Sequence, residues 1–349
     1  MRVKLLFLCS TLIAPITLSF AQSAGDFVAP RTEWGHPDLQ GVWNFNSETP
    51  MQRPERYGTQ EFLTQDEIEQ ARIQRATRRA EADAQEAELV TNPEAPPAGA
   101  ASTGGYNNFW YESASISENV RTSLIVYPTD GRIPQRVEGA LVHTANLGPD
   151  VPGERPVRAI FGGISKDGPE DRGLSERCLI GFNAGPPLTG GGYNANIQIF
   201  QNRDHAVILT EMVHDARIVP LDDRPPINED IRLWTGDSRG YWDGETLVVV
   251  TRNFSDLVPS FSRFGTAKDK TLTERFTRVG PFTVDYQWTL EDPSTFTDKI
   301  SAVQPMTKVA GQLYEYGCHE GNYGMENLLR GERMSELRAA EAESGQKNN

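Results

Sequence analysis

The sequence predicts a mainly β protein: an antiparallel up-and-down barrel of about eight to ten strands, with a β-sandwich as the alternative. Three observations predict it. Between residues 195 and 318, short apolar runs such as NIQIF, HAVIL and TLVVV are rich in β-branched residues and alternate with polar ones, the period-two pattern of half-buried strands. Asn202-Arg203-Asp204, Asp222-Asp223, Asp243-Gly244 and Val279-Gly280-Pro281 interrupt these runs at hairpin spacing, with residues suited to turns. The chain also holds 31 Gly and 23 Pro, which favours a turn-rich β protein over a helical one. Closing such a meander into a barrel removes its exposed edges.

Residues 1–21 read as a secretory signal: Arg2 and Lys4 give the positive start, Leu5 to Leu18 the apolar run, and Ser19-Phe20-Ala21 a small-x-small cleavage site. The run is short and broken by Pro15, so it does not read as a membrane span. A periplasmic or secreted protein without membrane insertion is expected. Residues 22–61 carry the first strand, at Gly41-Val42-Trp43. Residues 62–105 form a helix from Phe62 to Val90, opened by a Thr64/Glu67 capping box, followed by a Pro/Ala/Gly linker. Residues 106–321 form the β domain. It begins with the aromatic and amide-rich Tyr106–Glu112 and a strand at Arg121–Tyr127, and contains a long loop at 137–176. Strands are expected near 195–201, 206–213, 215–220, 230–235, 238–242, 245–252, 271–279, 282–291, 299–307 and 312–318. Residues 322–349 give a C-terminal helix and a fraying tail.

The formal charge is −14, and loss of Arg2 and Lys4 with the signal makes it −16. Such a surface repels nucleic acid and anionic lipid, so a small molecule is the expected partner. After export only Cys178 and Cys318 remain, and two cysteines in an oxidising compartment point to one disulfide.

Candidate site residues fall into three groups. On a regular strand through 210–218, Glu211, Asp215 and Arg217 share one face and His214 takes the other. Asp237 and Arg239 share a face two residues apart, near Trp242. These charges beside Trp fit a polar patch at a barrel mouth, where Arg217 and Arg239 would hold an anionic oxygen. In the third group, His319 is the natural general acid or base, with Glu320 or Asp215 to orient it and Tyr323 as a proton donor. Asn108 and Trp110 add possible ligand contacts. His205, His214 and His319 lack close metal-ligand spacing, so no metal is expected. No nucleophile motif or dinucleotide fingerprint occurs in the mature sequence, so no cofactor is expected either.

The stretches HPDLQGVW, IRLWTGDSRGYWDGETLVVVTRNF, ERFTRV, LEDPSTFT and YEYGCHEGNYGMENLL resemble a functionally uncharacterised family of secreted proteins from Gram-negative bacteria. That resemblance implies export and supplies no catalytic residue. Gly41-Val42-Trp43 with the meander also resembles the calycins, whose lipocalin-like barrel places such a Trp at one end.

Three functions compete. The first is an exported lyase or isomerase doing cofactor-free acid–base chemistry on a hydrophobic, oxygenated small molecule in a barrel cavity. The second is a non-catalytic periplasmic binding protein for a lipophilic ligand. The third is a carbohydrate-active enzyme with a carboxylate pair across a cleft.

Overall fold

A computed structural model describes residues 27–91, 120–142 and 166–347. The expected signal at 1–21, the linker after Thr91, Asn108, Trp110 and His143 lie outside the described residues.

The protein is mainly β. One antiparallel sheet of ten strands comprises β1 (Gly41–Asn44), β2 (Ile125–Tyr127), β3 (Asn196–Gln201), β4 (His205–Thr210), β5 (Ala216–Pro220), β6 (Asp237–Asp243), β7 (Thr246–Arg252), β8 (Thr271–Gly280), β9 (Thr283–Glu291) and β10 (Ile300–Val309). Their order is β5-β4-β3-β1-β10-β9-β8-β7-β6, with β2 paired to β10 off this path. Strands consecutive in sequence pair along both arms, and β1 joins the arms by pairing β3 and β10. This is an up-and-down order with one missing step. The path ends at β5 and β6, and no ladder joins them, so the sheet is not closed into a barrel.

The two end strands nevertheless touch. A Cβ placed on Gly240 of β6 would lie 2.8 Å from Val219 Cγ1 and 2.8 Å from Leu221 Cδ2. The Val219 and Leu221 side chains thus fill the space over Gly240 that a side chain there would need.

Alternation sets the core. Leu272, Glu274 and Phe276 on β8, Val284, Tyr286, Trp288 and Leu290 on β9, and Ile300, Ala302, Gln304 and Met306 on β10 are all buried, each set on one face of its strand. Trp43 on β1 is fully buried, and its Nε1 donates to Leu39 O at 2.8 Å. The calycin-type Trp is therefore a core residue with a satisfied polar tip.

Two expected strands are absent. Residues 230–235 form an extended bend with a single bridge from Leu233 to Phe254, and residues 312–318 are irregular. The hairpin between β4 and β5 turns earlier than expected. Thr210 N donates to Asp215 O at 2.9 Å, and Met212–His214 form a 3-10 turn with Val213 and His214 at positive φ. No Gly or Asn-Gly marks this turn in the sequence.

Helix α1 (Gln65–Thr91) starts on the expected capping box: Glu67 N donates to Thr64 Oγ1 at 3.3 Å, and Thr64 N to Glu67 Oε2 at 2.7 Å. Its Ile68 is buried, while most of its later side chains are exposed. Helix α2 (Tyr323–Lys347) begins beside Asn322, whose Oδ1 accepts from Met325 N. Cys178 and Cys318 form the expected disulfide, with a Cα–Cα distance of 5.7 Å. It ties the segment before α2 to a small apolar cluster of Met212, Val213, Phe182 and Tyr316. No helix of the described residues is long and apolar enough to cross a membrane.

Candidate functional site

The 211–215 turn and the 316–318 segment pack together through Met212, Val213, Tyr316 and Cys318, but among the described residues no side-chain hydrogen bond or ion pair joins the three expected polar groups. Because the chain turns at 211–215, Glu211 and Arg217 are not on one strand face. Glu211 accepts from Asn196 Nδ2 at 2.8 Å, and His214 is exposed. Asp215 is half-buried, with its Oδ2 sealed off and without a hydrogen-bond partner. Burial raises its carboxyl pKa, while the charges of Arg217 and His214 act in the opposite direction.

Asp237 and Arg239 lie on the face of β6 opposite to buried Ser238 and Gly240. Arg239 Nη1 donates to Asp237 Oδ1 at 2.5 Å and to Ser238 O, and its Nη2 donates to Pro225 O. Ile227 N donates to Asp237 Oδ2 at 3.2 Å. The pair thus clips the 225–227 segment to the sheet and is occupied in doing so. Trp242 stacks on His36, with ring centroids 5.0 Å apart and planes 8° from parallel. His319, Glu320 and Tyr323 are exposed, Tyr323 to 70%. Among the described residues no side-chain hydrogen bond or ion pair links His319 to Glu320, Asp215 or Tyr323, and none of the four lines the groove described below.

Arg217 alone reaches the interior, where sequence reasoning missed its partners. Its guanidinium grips Glu274 with two hydrogen bonds, Nη1 to Oε2 at 2.6 Å and Nη2 to Oε1 at 3.0 Å. Tyr286 donates its hydroxyl to Glu274 Oε1 at 2.7 Å and accepts from Leu188 N at 3.1 Å. Lys270 Nζ, 4.0 Å from the Phe254 ring centroid, donates to Pro186 O and Ser260 O. Burial would lower the Arg217 pKa, but the charge and hydrogen bonds of Glu274 outweigh it and leave the guanidinium raised. Burial, then the Glu274 charge, pushes the Tyr286 hydroxyl well up. Burial pulls the Lys270 ammonium down to about 7, against the pull of Glu274 and Asp292. The interior that was expected to hold a ligand is filled by the chain itself. Ala184 and Leu188 belong to the core, and the polar groups hold the backbone of the segment between them. A visible signal existed, since Glu274 sits between Leu272 and Phe276 on the apolar parity of β8.

The open concavity lies elsewhere. Residues 133–140, Gln52 and Phe264 line a groove of about 580 Å³. The 133–140 segment is pinned along the β9–β10 connection: Val137 N donates to Thr295 O at 3.0 Å, and Thr297 N to Gln135 O at 2.9 Å. Ile133 N donates to Gln52 Oε1 at 3.1 Å. On the far wall, Gly265 N donates to Leu141 O at 3.0 Å. Gly265 has φ +62°, and a Cβ there would fall 1.8 Å from Thr295 Oγ1, so only glycine lets this loop approach. Phe264 meets Phe296 edge-on at 6.3 Å. Arg136 and Arg263 sit over the Phe264 ring, 5.2 and 5.7 Å from its centroid. The walls therefore combine apolar surface from Ile133, Pro134, Val137, Ala140 and Phe264 with the guanidinium of Arg136.

No protein-family model matches this chain, and no curated protein matches it. Among the described residues, no three His, Cys, Asp or Glu side chains gather as a metal site would require.

Proposed function

We propose that this chain is an exported, non-catalytic binding protein for a lipophilic small molecule, built on a sheet rolled towards a barrel with its seam between β5 and β6. The seam reading rests on the contact of Gly240 with Val219. One observation carries the function: the ionisable residues expected to do chemistry are dispersed or locked, while the groove at 133–140 and Phe264 is open. Its volume of about 580 Å³ falls in the range of small-molecule pockets, roughly 300–1,000 Å³. The Cys178–Cys318 disulfide fits an oxidising compartment.

The test is titration with N-phenyl-1-naphthylamine, a neutral apolar fluorophore. Saturable binding at one site per chain is expected, and it should vanish in Ala140→Trp, which fills the groove. Binding that survives this substitution, or no binding to the parent protein, overturns the reading.

A lyase or isomerase remains the second reading, with its site moved inward. It is favoured by a buried Lys270 titrating near neutral pH close to Glu274 and Tyr286, a pattern common at functional sites. Such a site needs the 184–188 segment to move aside. Hydrogen exchange at the Leu188 amide decides the matter: exchange only through global unfolding removes this reading.

A further inference from the structure

We propose that the groove selects ligands bearing an anionic group, with Arg136 of its lining taking the charge, Arg263 on the same Phe264 ring reinforcing it from beside the lining, and the apolar lining taking the adjoining body. This rests on the reading of the groove as a binding site and names the chemistry of its ligand.

The chain is strongly acidic, with 48 Asp and Glu against 34 Lys and Arg. Most arginines near its surface are engaged by carboxylates, as in Arg275 with Asp243, Arg224 with Asp222 and Arg333 with Glu336. Arg136 and Arg263, like Arg56 over Tyr57, have a ring for a partner instead, and Arg136 lines the groove. Both are exposed, and among the described residues each is held by the Phe264 ring and by no carboxylate. Stacking on a ring orients a guanidinium while leaving its N–H edge free to donate. A carboxylate or sulfonate can accept two such hydrogen bonds in one plane. The apolar wall from Ile133 to Ala140 then covers the rest of the molecule. Glu138 is the acidic member of the lining and opposes an anion, so it sharpens where along the groove the charge can sit.

Two fluorophores of nearly the same shape separate the two levels of the idea. 1-Anilinonaphthalene-8-sulfonate carries the anionic group, and N-phenyl-1-naphthylamine lacks it. The sulfonate is expected to bind the native protein about tenfold more tightly, a difference of one charge-assisted contact. Arg136→Gln with Arg263→Gln should erase that preference, lowering the ratio of sulfonate to neutral-probe affinity about tenfold, with an unchanged melting temperature as the folding control. Glu138→Gln should raise the ratio of sulfonate to neutral-probe affinity. Equal affinities for the two probes, or a preference that survives loss of both arginines, overturns the anion proposal and leaves the binding function standing. Failure of both probes to bind overturns the binding function and this proposal together.

Discussion

Two regions place arginine beside aromatic rings and use it in opposite ways. Inside the sheet, Arg217 is 4% exposed and has both carboxylate oxygens of Glu274 in its grip. At the groove, Arg136 in the lining and Arg263 beside it lie exposed over Phe264, with no carboxylate partner among the described residues. A buried guanidinium must be matched by charge and hydrogen bonds or it destabilises the fold. Here both terminal nitrogens of Arg217 are matched to Glu274 and the group is closed off from solvent, although its Nε has no partner. An exposed guanidinium held by a ring costs the fold little and keeps its donors available. The interior of this protein is therefore a matter of stability, and its open groove is the place to look for binding.

The sharpest way to break the comparison is Glu274→Gln. It strands the Arg217 charge in the core, and a loss of about 3–5 kcal/mol is expected in urea unfolding. Replacing both partners, as Arg217→Met with Glu274→Leu, should recover most of the loss, because an apolar pair has no charge to satisfy. A harmless single substitution would mean that Arg217 reaches water.

Lys270 gives the next largest effect, and it is read against pH. In the folded protein the ammonium loses its proton near pH 7, whereas an ordinary lysine holds it to about 10.5. Between those values the unfolded chain binds more protons, so the contribution of Lys270 to stability rises with pH and is least favourable below 7. Lys270→Met removes this dependence. Its stability relative to the parent protein should be about 3 kcal/mol better at pH 6 than at pH 9. A gap of zero in paired denaturation curves would place Lys270 in contact with solvent.

Gly265→Ala tests the groove wall. A side chain at φ +62°, 1.8 Å from Thr295 Oγ1, forces the loop away, with a cost of roughly 2 kcal/mol. Calorimetry should show the lowered melting temperature, and N-phenyl-1-naphthylamine binding should weaken with it. Smallest of all, His319→Ala and Arg136→Gln should each stay within about 0.5 kcal/mol of the parent, since both side chains are exposed. They should then part company, with His319→Ala leaving sulfonate-probe binding untouched and Arg136→Gln reducing it.

Local patterns settled a large part of this protein in advance. Period-two alternation marked β3 to β10, Thr64 and Glu67 marked the start of α1, and the two cysteines outside the N-terminal apolar run marked the disulfide. Each is written within a few residues or, for the cysteines, in a count of two. The Met212–His214 turn escaped because its positive φ angles fall on Val213 and His214, residues that carry no turn signal. Strand parity showed that Asp237 and Arg239 share a face, yet it could not tell that face from the buried one. It likewise placed Glu274 between Leu272 and Phe276 without revealing that Arg217, 57 residues away, would meet it. Those outcomes depend on which strands become neighbours and how far the sheet curls until Gly240 reaches Val219. The groove depends on the same packing, because residues 133–140 become a wall only where the 264–265 loop and Thr295 press against them. Sequence by itself determined the type and order of most elements. The tertiary structure decided which charges were buried, which were paired and which were left facing water, because burial and pairing belong to residues brought together from distant parts of the chain.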